Sequence, residues 1–244
     1  MNINMEAQIS ADNFQDYLVE LMTGQREALW QDPTGATLLQ WASGNSNTKM
    51  INDQVIGTLL GAEPAALHVQ DVNGWTPLLH AVSKSNGTSR HSTVQLLIEM
   101  GSNVIETLVD GKNALHILCA YDSSMETFMD LIPYFIEIID DTDNEGNTAL
   151  SYAAMNSRNP NVAQQIETLV DLGANVNWIN KEGTPLIISA AKCLKTTSNM
   201  EGIQMLIGKG ADPKAKDGDG NTYDDYFPKP ENYTKAIEPG TCTL

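Results

Sequence analysis

Two short acidic stretches contain the residue types that could bind a calcium ion. In the stretch DTDNEG, residues 141–146, acidic side chains alternate before a glycine, as they do at the start of an EF-hand loop. The twelfth position of that loop would be Tyr152, where calcium needs the two carboxylate oxygens of a glutamate. The second stretch, residues 217–221, is followed by Thr222 where the loop needs glycine. We therefore predict no metal site.

The histidines and cysteines also lack a spacing that supports chemistry. No histidine is paired with another histidine or a cysteine at ligand spacing. The three cysteines are far apart and odd in number, so they do not imply a disulfide framework, and they favour a reducing compartment. Nucleophile-elbow, P-loop and dinucleotide fingerprints are absent from the sequence. We predict a chain that is not an enzyme and has no cofactor. An enzyme with an unrecognised site is the remote alternative.

The composition narrows the class of partner. The 244 residues include 14 Lys and Arg against 31 Asp and Glu, a formal net charge of −17. Such a chain repels the phosphates of nucleic acids and the surface of an anionic membrane, so we expect it to bind neither. No apolar run is long enough to cross a bilayer, and the first residues lack the pattern of a secretory signal. We expect a cytoplasmic location.

An internal repeat supplies the elements that would position any binding residues. One phrase occurs six times and fits the pattern Asp-x-x-Gly-x-Thr in four of them, as in DVNGWTPL (71–78) and DNEGNTAL (143–150). A second, apolar phrase follows each of the first five copies, as in IETLVDLGAN (166–175). The glycines of the first phrase recur every 35 to 39 residues, at Gly35, Gly74, Gly111, Gly146, Gly183 and Gly220.

Each copy predicts a turn followed by two helices. Asp or Asn three residues before Gly is typical of a turn, because glycine adopts positive φ without a steric penalty. Threonine after the turn is a good N-cap and proline is tolerated at the first helical position, as at Thr76-Pro77 and Thr184-Pro185. The second phrase has the apolar spacing of an amphipathic helix.

These copies resemble the ankyrin repeat, with the closest similarity at GWTPLLHAV (74–82) and GANVN (173–177). The resemblance implies an all-α repeat solenoid of helix-turn-helix units with β-hairpin tips. It implies about five full repeats plus a degenerate C-terminal cap and an N-terminal capping helix. It also implies a concave face that binds other proteins, and a structural role for His116, whose side chain would hydrogen-bond turn backbone.

The resemblance divides the chain into three segments. Residues 1–31 would be the N-terminal capping helix, because the amphipathic stretch 12–22 can cover the first repeat. A separate partner-binding helix is the alternative for this segment. Residues 32–226 would form the ankyrin-repeat domain, and residues 227–244 a C-terminal tail.

The family geometry implies which side chains face a partner protein. Trp75 is notable, because the tip of a turn ordinarily has a polar side chain and exposed aromatic residues often anchor interfaces. For Trp75 and Trp178 the alternative is packing against a neighbouring turn. The implied partner-binding residues are Val72, Trp75, Asp110, Lys112, Asp143, Glu145, Asn147, Trp178, Ile179, Lys181 and Glu182.

The acidic residues between the two tryptophans suggest a partner with a basic segment, although a charge run is also typical of a solvated face. We predict a non-catalytic protein–protein interaction module that acts as an adaptor, inhibitor or assembly factor. The alternative is a bacterial effector that is delivered into a eukaryotic host cell and binds a host protein. Association of two copies of this chain through an exposed apolar face is a further alternative.

Overall fold

The computed structural model describes residues 8–27, 29–46, 51, 53–85, 91–121, 124–156, 159–193 and 197–226, with the backbone alone at 197–199. Within these ranges the regular structure is helical. The elements, in chain order, are α1 (Phe14–Met22), α2 (Leu38–Gly44), α3 (Asp53–Ala62), η1 (Pro64–His68), α4 (Pro77–Ser83), α5 (His91–Glu99), α6 (Ala114–Tyr121), α7 (Met125–Leu131), η2 (Ile132–Ile138), α8 (Ala149–Met155), α9 (Val162–Asp171), α10 (Leu186–Lys192), α11 (Thr197–Gly208) and η3 (Tyr223–Tyr226), where η denotes a 3₁₀-helix. No helix in the described part of the chain is both long and apolar enough to cross a membrane.

The chain forms two compact units, residues 1–109 and 110–244. In the first unit α2 packs against α4, and each of these helices packs against the helix that follows it, α3 or α5. In the second unit α8 lies between α6 and α10, and α9 packs against both α8 and α11. Each unit is therefore a series of helix pairs, as the repeat predicts.

Leucine, isoleucine and alanine side chains of the first helix of each pair form much of the cores, and Phe128, Leu97 and Ile166 of second helices are buried with them. Every residue of α6 from Ala114 to Ala120 is buried, and so are Ala149, Ala153 and Ala190 on the neighbouring helices. Small alanine side chains let these helices approach closely, while each buried leucine contributes about 1.5–3 kcal/mol.

Three of the helices begin at the threonines that the sequence predicts. The side chains of Thr37, Thr76 and Thr148 each accept the backbone N–H three residues later. The prediction at Thr184-Pro185 is wrong by one position, because α10 begins at Leu186 with Pro185 as its N-cap. The fifth copy has one residue fewer between glycine and threonine, so proline occupies the capping position without a side-chain acceptor.

The turns differ from the β-hairpins that the resemblance implies. In the described residues only two single-pair bridges occur, between Thr142 and Thr148 and between Ile179 and Pro185. The second helix of the third copy also departs from the pattern, because α7 changes to the 3₁₀-helix η2 where Pro133 removes an N–H.

The two cysteines in the described residues, Cys119 and Cys193, are buried. Cys119 is a free thiol. Cys193 is disulfide-bonded, a bond that the sequence does not predict.

Candidate partner-binding turns

Six four-residue turns precede the first helices, and each ends at a glycine with φ between 75° and 85°. In five of them the first side chain accepts the backbone N–H groups two and four residues later, at 2.8–3.1 Å. The exception is the third turn, where the first residue is Leu108. The turns are residues 32–35, 71–74, 108–111, 143–146, 180–183 and 217–220.

Adjacent turns are joined by backbone hydrogen bonds within each unit. The N–H of the second residue in one turn donates to the carbonyl of the third residue in the preceding turn. The pairs are Val72 to Thr34 at 3.2 Å and Val109 to Asn73 at 3.2 Å in the first unit, and Asn144 to Asp110 at 2.9 Å and Lys181 to Glu145 at 3.1 Å in the second. These bonds fix the backbone from which the exposed side chains of the turns project.

Most of the predicted partner-binding residues are accessible at these turns. Val72 is 68% exposed and Ile179 58% exposed. Lys112 is half-buried, with its ammonium 3.2 Å from the carboxylate of Asp110 and 5.3 Å from the centre of the Tyr152 ring. The remaining exposed members of the set are Asp110, Glu145, Lys181 and Glu182.

Two members of the set are buried. Asp143 is 4% exposed and accepts a 2.5 Å hydrogen bond from the hydroxyl of Tyr152. Asn147 is 7% exposed, so the exposure that the family geometry implies for it is wrong. The backbone carbonyl of Asn147 accepts the Nε2–H of His116 at 3.0 Å, and this hydrogen bond holds Asn147 against α6. The side chains of Asp143 and Asn147 are therefore not accessible to a partner protein.

The two tryptophans both contact other residues of their own unit, Trp178 a neighbouring turn and Trp75 the helices. The Trp178 indole donates to the carbonyl of Gly146 at 2.8 Å, so the alternative of packing against the adjacent turn is confirmed for it. The half-buried Trp75 ring lies 5.2 Å from the imidazole of His80. Its backbone carbonyl accepts a 2.7 Å hydrogen bond from the side chain of Gln40.

A polar or aromatic side chain nine residues after the turn aspartate approaches that aspartate in three copies, and in two of them it donates a hydrogen bond. Tyr152 donates to Asp143, and Tyr226 to Asp217. His80 places its Nε2 atom 3.5 Å from the carboxylate of Asp71. The three pairs tie the first helix back to its own turn.

The ionisation of these groups follows from their burial and hydrogen bonds. Burial raises the pKa of Tyr152 far above its usual value, and the hydrogen bond to Asp143 adds to this effect. Burial lowers the pKa of His80 and of His116, although nearby aspartates oppose it. The hydrogen bond from Tyr226 lowers the pKa of the Asp217 carboxyl. These aspartates and histidines therefore serve to hold the turns and the helices together.

Val109 is an exposed apolar residue that the sequence patterns did not single out. It is 73% exposed and occupies the same turn position as Val72. The equivalence can be recognised by aligning the glycines of the turns, because Val109 lies two residues before Gly111 and Val72 lies two residues before Gly74. It was obscured by Leu108, which replaces the aspartate that marks the start of the other turns.

The described residues contain no group of three or more histidine, cysteine, aspartate or glutamate side chains that could hold a metal ion. The exposed side chains at the turns include apolar, acidic, basic and amide groups.

Comparison with known proteins agrees with this geometry. The family model for ankyrin repeats (3 copies) matches residues 85–166 and 128–217. No curated protein matches the chain.

Solved structures are similar over most of the chain. One is a chain of the predatory endopeptidase Bd0816 from Bdellovibrio bacteriovorus in complex with immunity protein Bd3460, with 20% identity, a TM-score of 0.63, and 82% of this chain and 100% of that chain covered. A second is the ankyrin repeat domain of Bcl-3, a member of the IkappaB protein family, with 22% identity, a TM-score of 0.62, and 87% and 88% covered. A third is an ankyrin repeat domain from Acinetobacter baumannii AYE, with 22% identity, a TM-score of 0.60, and 77% and 88% covered. Because the repeat pattern, the helix pairs and the family model agree, the chain belongs to the ankyrin-repeat family.

Proposed function

We propose that this chain is a non-catalytic interaction module that binds a partner protein through the exposed side chains of its turns. The observation that carries the proposal is the exposure of Val72, Val109 and Ile179 at or beside turns whose backbones are fixed by hydrogen bonds. Apolar side chains on a rigid backbone suit binding, because little conformational entropy is lost when a partner covers them. Ankyrin repeats are typically protein–protein interaction modules, which supports the same function.

The charge of the turns supports a partner with a basic segment. The third residue is an exposed acid in four of the turns: Asp110, Glu145, Glu182 and Asp219. The net charge of −17 adds a long-range attraction for a basic protein. Complementary charge of this kind raises association rates and selects partners more than it sets affinity.

Inhibition of an enzyme is a second candidate role. It is favoured by the similarity in fold to a chain of the endopeptidase–immunity protein complex, all of which is covered by the match. The test is to add the purified chain to an enzyme that it captures and to measure catalytic rate. An inhibitor lowers that rate in proportion to the bound fraction, whereas an adaptor or assembly factor leaves it unchanged.

The partner is best sought by affinity capture with matched variants. The bait would be the wild-type chain beside Val72→Ser/Val109→Ser, which removes two apolar side chains from the turns of the first unit. Met100→Ser is the matched control, because Met100 is also exposed and apolar but follows α5 and lies outside the six turns that precede the first helices. All three proteins would first be compared by circular dichroism and thermal unfolding.

We expect the double variant to lose a protein that the wild type and Met100→Ser both retain. Equal retention by all three baits would contradict a binding surface at these turns. Parallel captures from bacterial and eukaryotic lysates address the effector alternative, which predicts a partner in the eukaryotic lysate alone. The cytoplasmic location stays a prediction, and fractionation of the source cell tests it.

A further inference from the structure

The turn at residues 180–183 ends the series of contacts between turns in the second unit. A Cβ atom built on Gly111 or Gly146 would lie 2.8 Å from a backbone nitrogen of the next turn. A Cβ atom built on Gly183 would have nothing within 4 Å. The carbonyls of Asp110 and Glu145 each accept an N–H from the following turn, whereas no described residue donates to the carbonyl of Glu182.

The same turn exposes an apolar side chain and a carboxylate. Ile179, immediately before the turn, is exposed, and so is Glu182. The only lysine in the turn is directed elsewhere, because the Lys181 ammonium donates to the carbonyl of Asn144 at 3.0 Å. In the next turn Asp219, the counterpart of Glu182, is exposed as well. The charges at the third positions of these two turns are therefore both negative.

We propose that the carbonyl of Glu182, the open face of Gly183 and the side chain of Ile179 form a docking edge for a basic segment of a partner protein. That segment donates a backbone N–H to the Glu182 carbonyl, as the following turn does at Asp110 and Glu145. Its lysine or arginine side chain faces the carboxylates of Glu182 and Asp219. The inference rests on the proposed function and names the chemistry of the partner at one turn. Backbone pairing at an open edge is an established mode of peptide recognition.

A second copy of this chain cannot extend the series of hydrogen bonds between turns by placing its first turn against the docking edge. The second residue of that turn is Pro33, which has no N–H to donate. A head-to-tail stack of copies would therefore lack the hydrogen bond that joins the other turns. Because the first turn of a second copy cannot supply an N–H to the Glu182 carbonyl, we assign the docking edge to a different protein.

The experiment is a selection of displayed random peptides against the full chain, followed by affinity measurements on a synthetic peptide. We expect the selected peptides to share a basic residue, and N-methylation of one backbone nitrogen to weaken binding about tenfold, the equivalent of one hydrogen bond. Glu182→Lys should weaken binding about tenfold as well. Glu201→Lys is the matched control, because Glu201 is also an exposed acid of the second unit but lies in α11, outside the turns.

Three results would overturn the inference. The first is peptides without basic residues, or peptides whose binding is equally reduced by Glu201→Lys and Glu182→Lys. The second is a solution mass of twice the monomer that returns to the monomer in Glu182→Lys, which would assign the edge to a second copy. The third is slow hydrogen exchange of the Gly218 amide in the free chain, which would show that the sixth turn closes the edge itself.

The proposed function and this inference fail separately. A captured partner that is lost by Val72→Ser/Val109→Ser but retained by Glu182→Lys would leave the proposed function standing and reject the docking edge. Retention of that partner by both variants would reject both.

Discussion

His116 and Gln40 occupy the same position in their helices, and each reaches the turn of the following copy. The Gln40 amide donates to the carbonyl of Trp75 at 2.7 Å, and the His116 imidazole to that of Asn147 at 3.0 Å. Two different side chains thus perform one structural task, because each offers an N–H at a similar distance from the backbone. Only the histidine can gain a proton in mild acid, so only its contribution to stability depends on pH.

Stability is predicted to fall in mild acid because of the buried histidines. Burial lowers the pKa of His116 and of His80, so below pH 6.5, the ordinary pKa of histidine, the unfolded chain binds protons that the folded chain does not. The contribution of each neutral imidazole is therefore complete above pH 6.5 and is lost as the pH falls toward the lowered pKa of the folded state. Urea unfolding at a series of pH values measures the effect.

The matched variant is His116→Gln, which copies the residue found in the first helix pair. We expect the variant to be about as stable as the wild type at pH 8 and to lose less stability between about pH 6.5 and pH 5. The remaining pH dependence belongs to His80. An unchanged pH profile in the variant would show that His116 does not carry the effect.

Ser102 is a buried residue whose hydroxyl finds no partner among the described residues. The equivalent positions after Gly173 and Gly210 are alanines, Ala174 and Ala211, and both are buried. We predict that Ser102→Ala raises the free energy of unfolding by about 1 kcal/mol, because it removes an unpaired buried hydroxyl. Chemical denaturation measures the change, and a loss of stability in the variant would contradict it.

At the scale of the element, α1 is attached to its surroundings by stacked rings. Phe14 stacks on Trp41 of α2, with their ring centres 4.9 Å apart. The Arg26 guanidinium lies over the rings of both Tyr17 and Trp30, 4.2 Å and 3.9 Å from their centres, and those centres are 5.1 Å apart. A charged side chain thus fixes the loop that follows the helix.

Removing that guanidinium is predicted to loosen the segment locally. Arg26→Ala loses two cation–π contacts and an ion pair with Glu20 at 2.6 Å, which we expect to cost about 1–2 kcal/mol. Hydrogen exchange of the α1 amides should quicken, while exchange in α8 stays as in the wild type. Arg26→Lys is the control, because it keeps the charge without the planar group. Uniform acceleration throughout the chain would contradict a local role.

The sequence predicts the elements better than it predicts the surface. The caps at Thr37, Thr76 and Thr148 could be predicted because they depend on residues three places apart. The burial of Asn147 could not, since it depends on a contact with His116, 31 residues earlier in the chain. Nor could the packing of Trp178, because an indole is equally suited to an interface or to a hydrogen bond with a neighbouring turn.

At the scale of the whole molecule, stability is expected to be the sum of repeats and of the contacts between neighbours. The turns of the second unit allow one such contact to be isolated. Gly146 and Gly183 both have positive φ, at 82° and 75°, but only Gly146 is closely covered by the next turn. The two glycines therefore form a matched pair.

We predict that Gly183→Ala costs about 1–2 kcal/mol, which is the penalty of positive φ alone. Gly146→Ala should cost about 1–3 kcal/mol more, because the new methyl group would lie 2.8 Å from the backbone nitrogen of Lys181. Urea unfolding of the two variants gives the difference. Equal losses would show that the fifth turn is covered in solution, which would also count against the docking edge.

Binding of a partner protein by the exposed apolar residues of the turns is best tested through affinity. Calorimetry would give the dissociation constant of the captured partner for the wild type, Val72→Ser/Val109→Ser and Met100→Ser. We expect a dissociation constant about tenfold or more higher for the double variant, and an unchanged value for Met100→Ser, because only the first change removes apolar contact area at the turns. The same affinity for all three proteins, or a loss confined to Met100→Ser, would show that these turns do not form the binding surface.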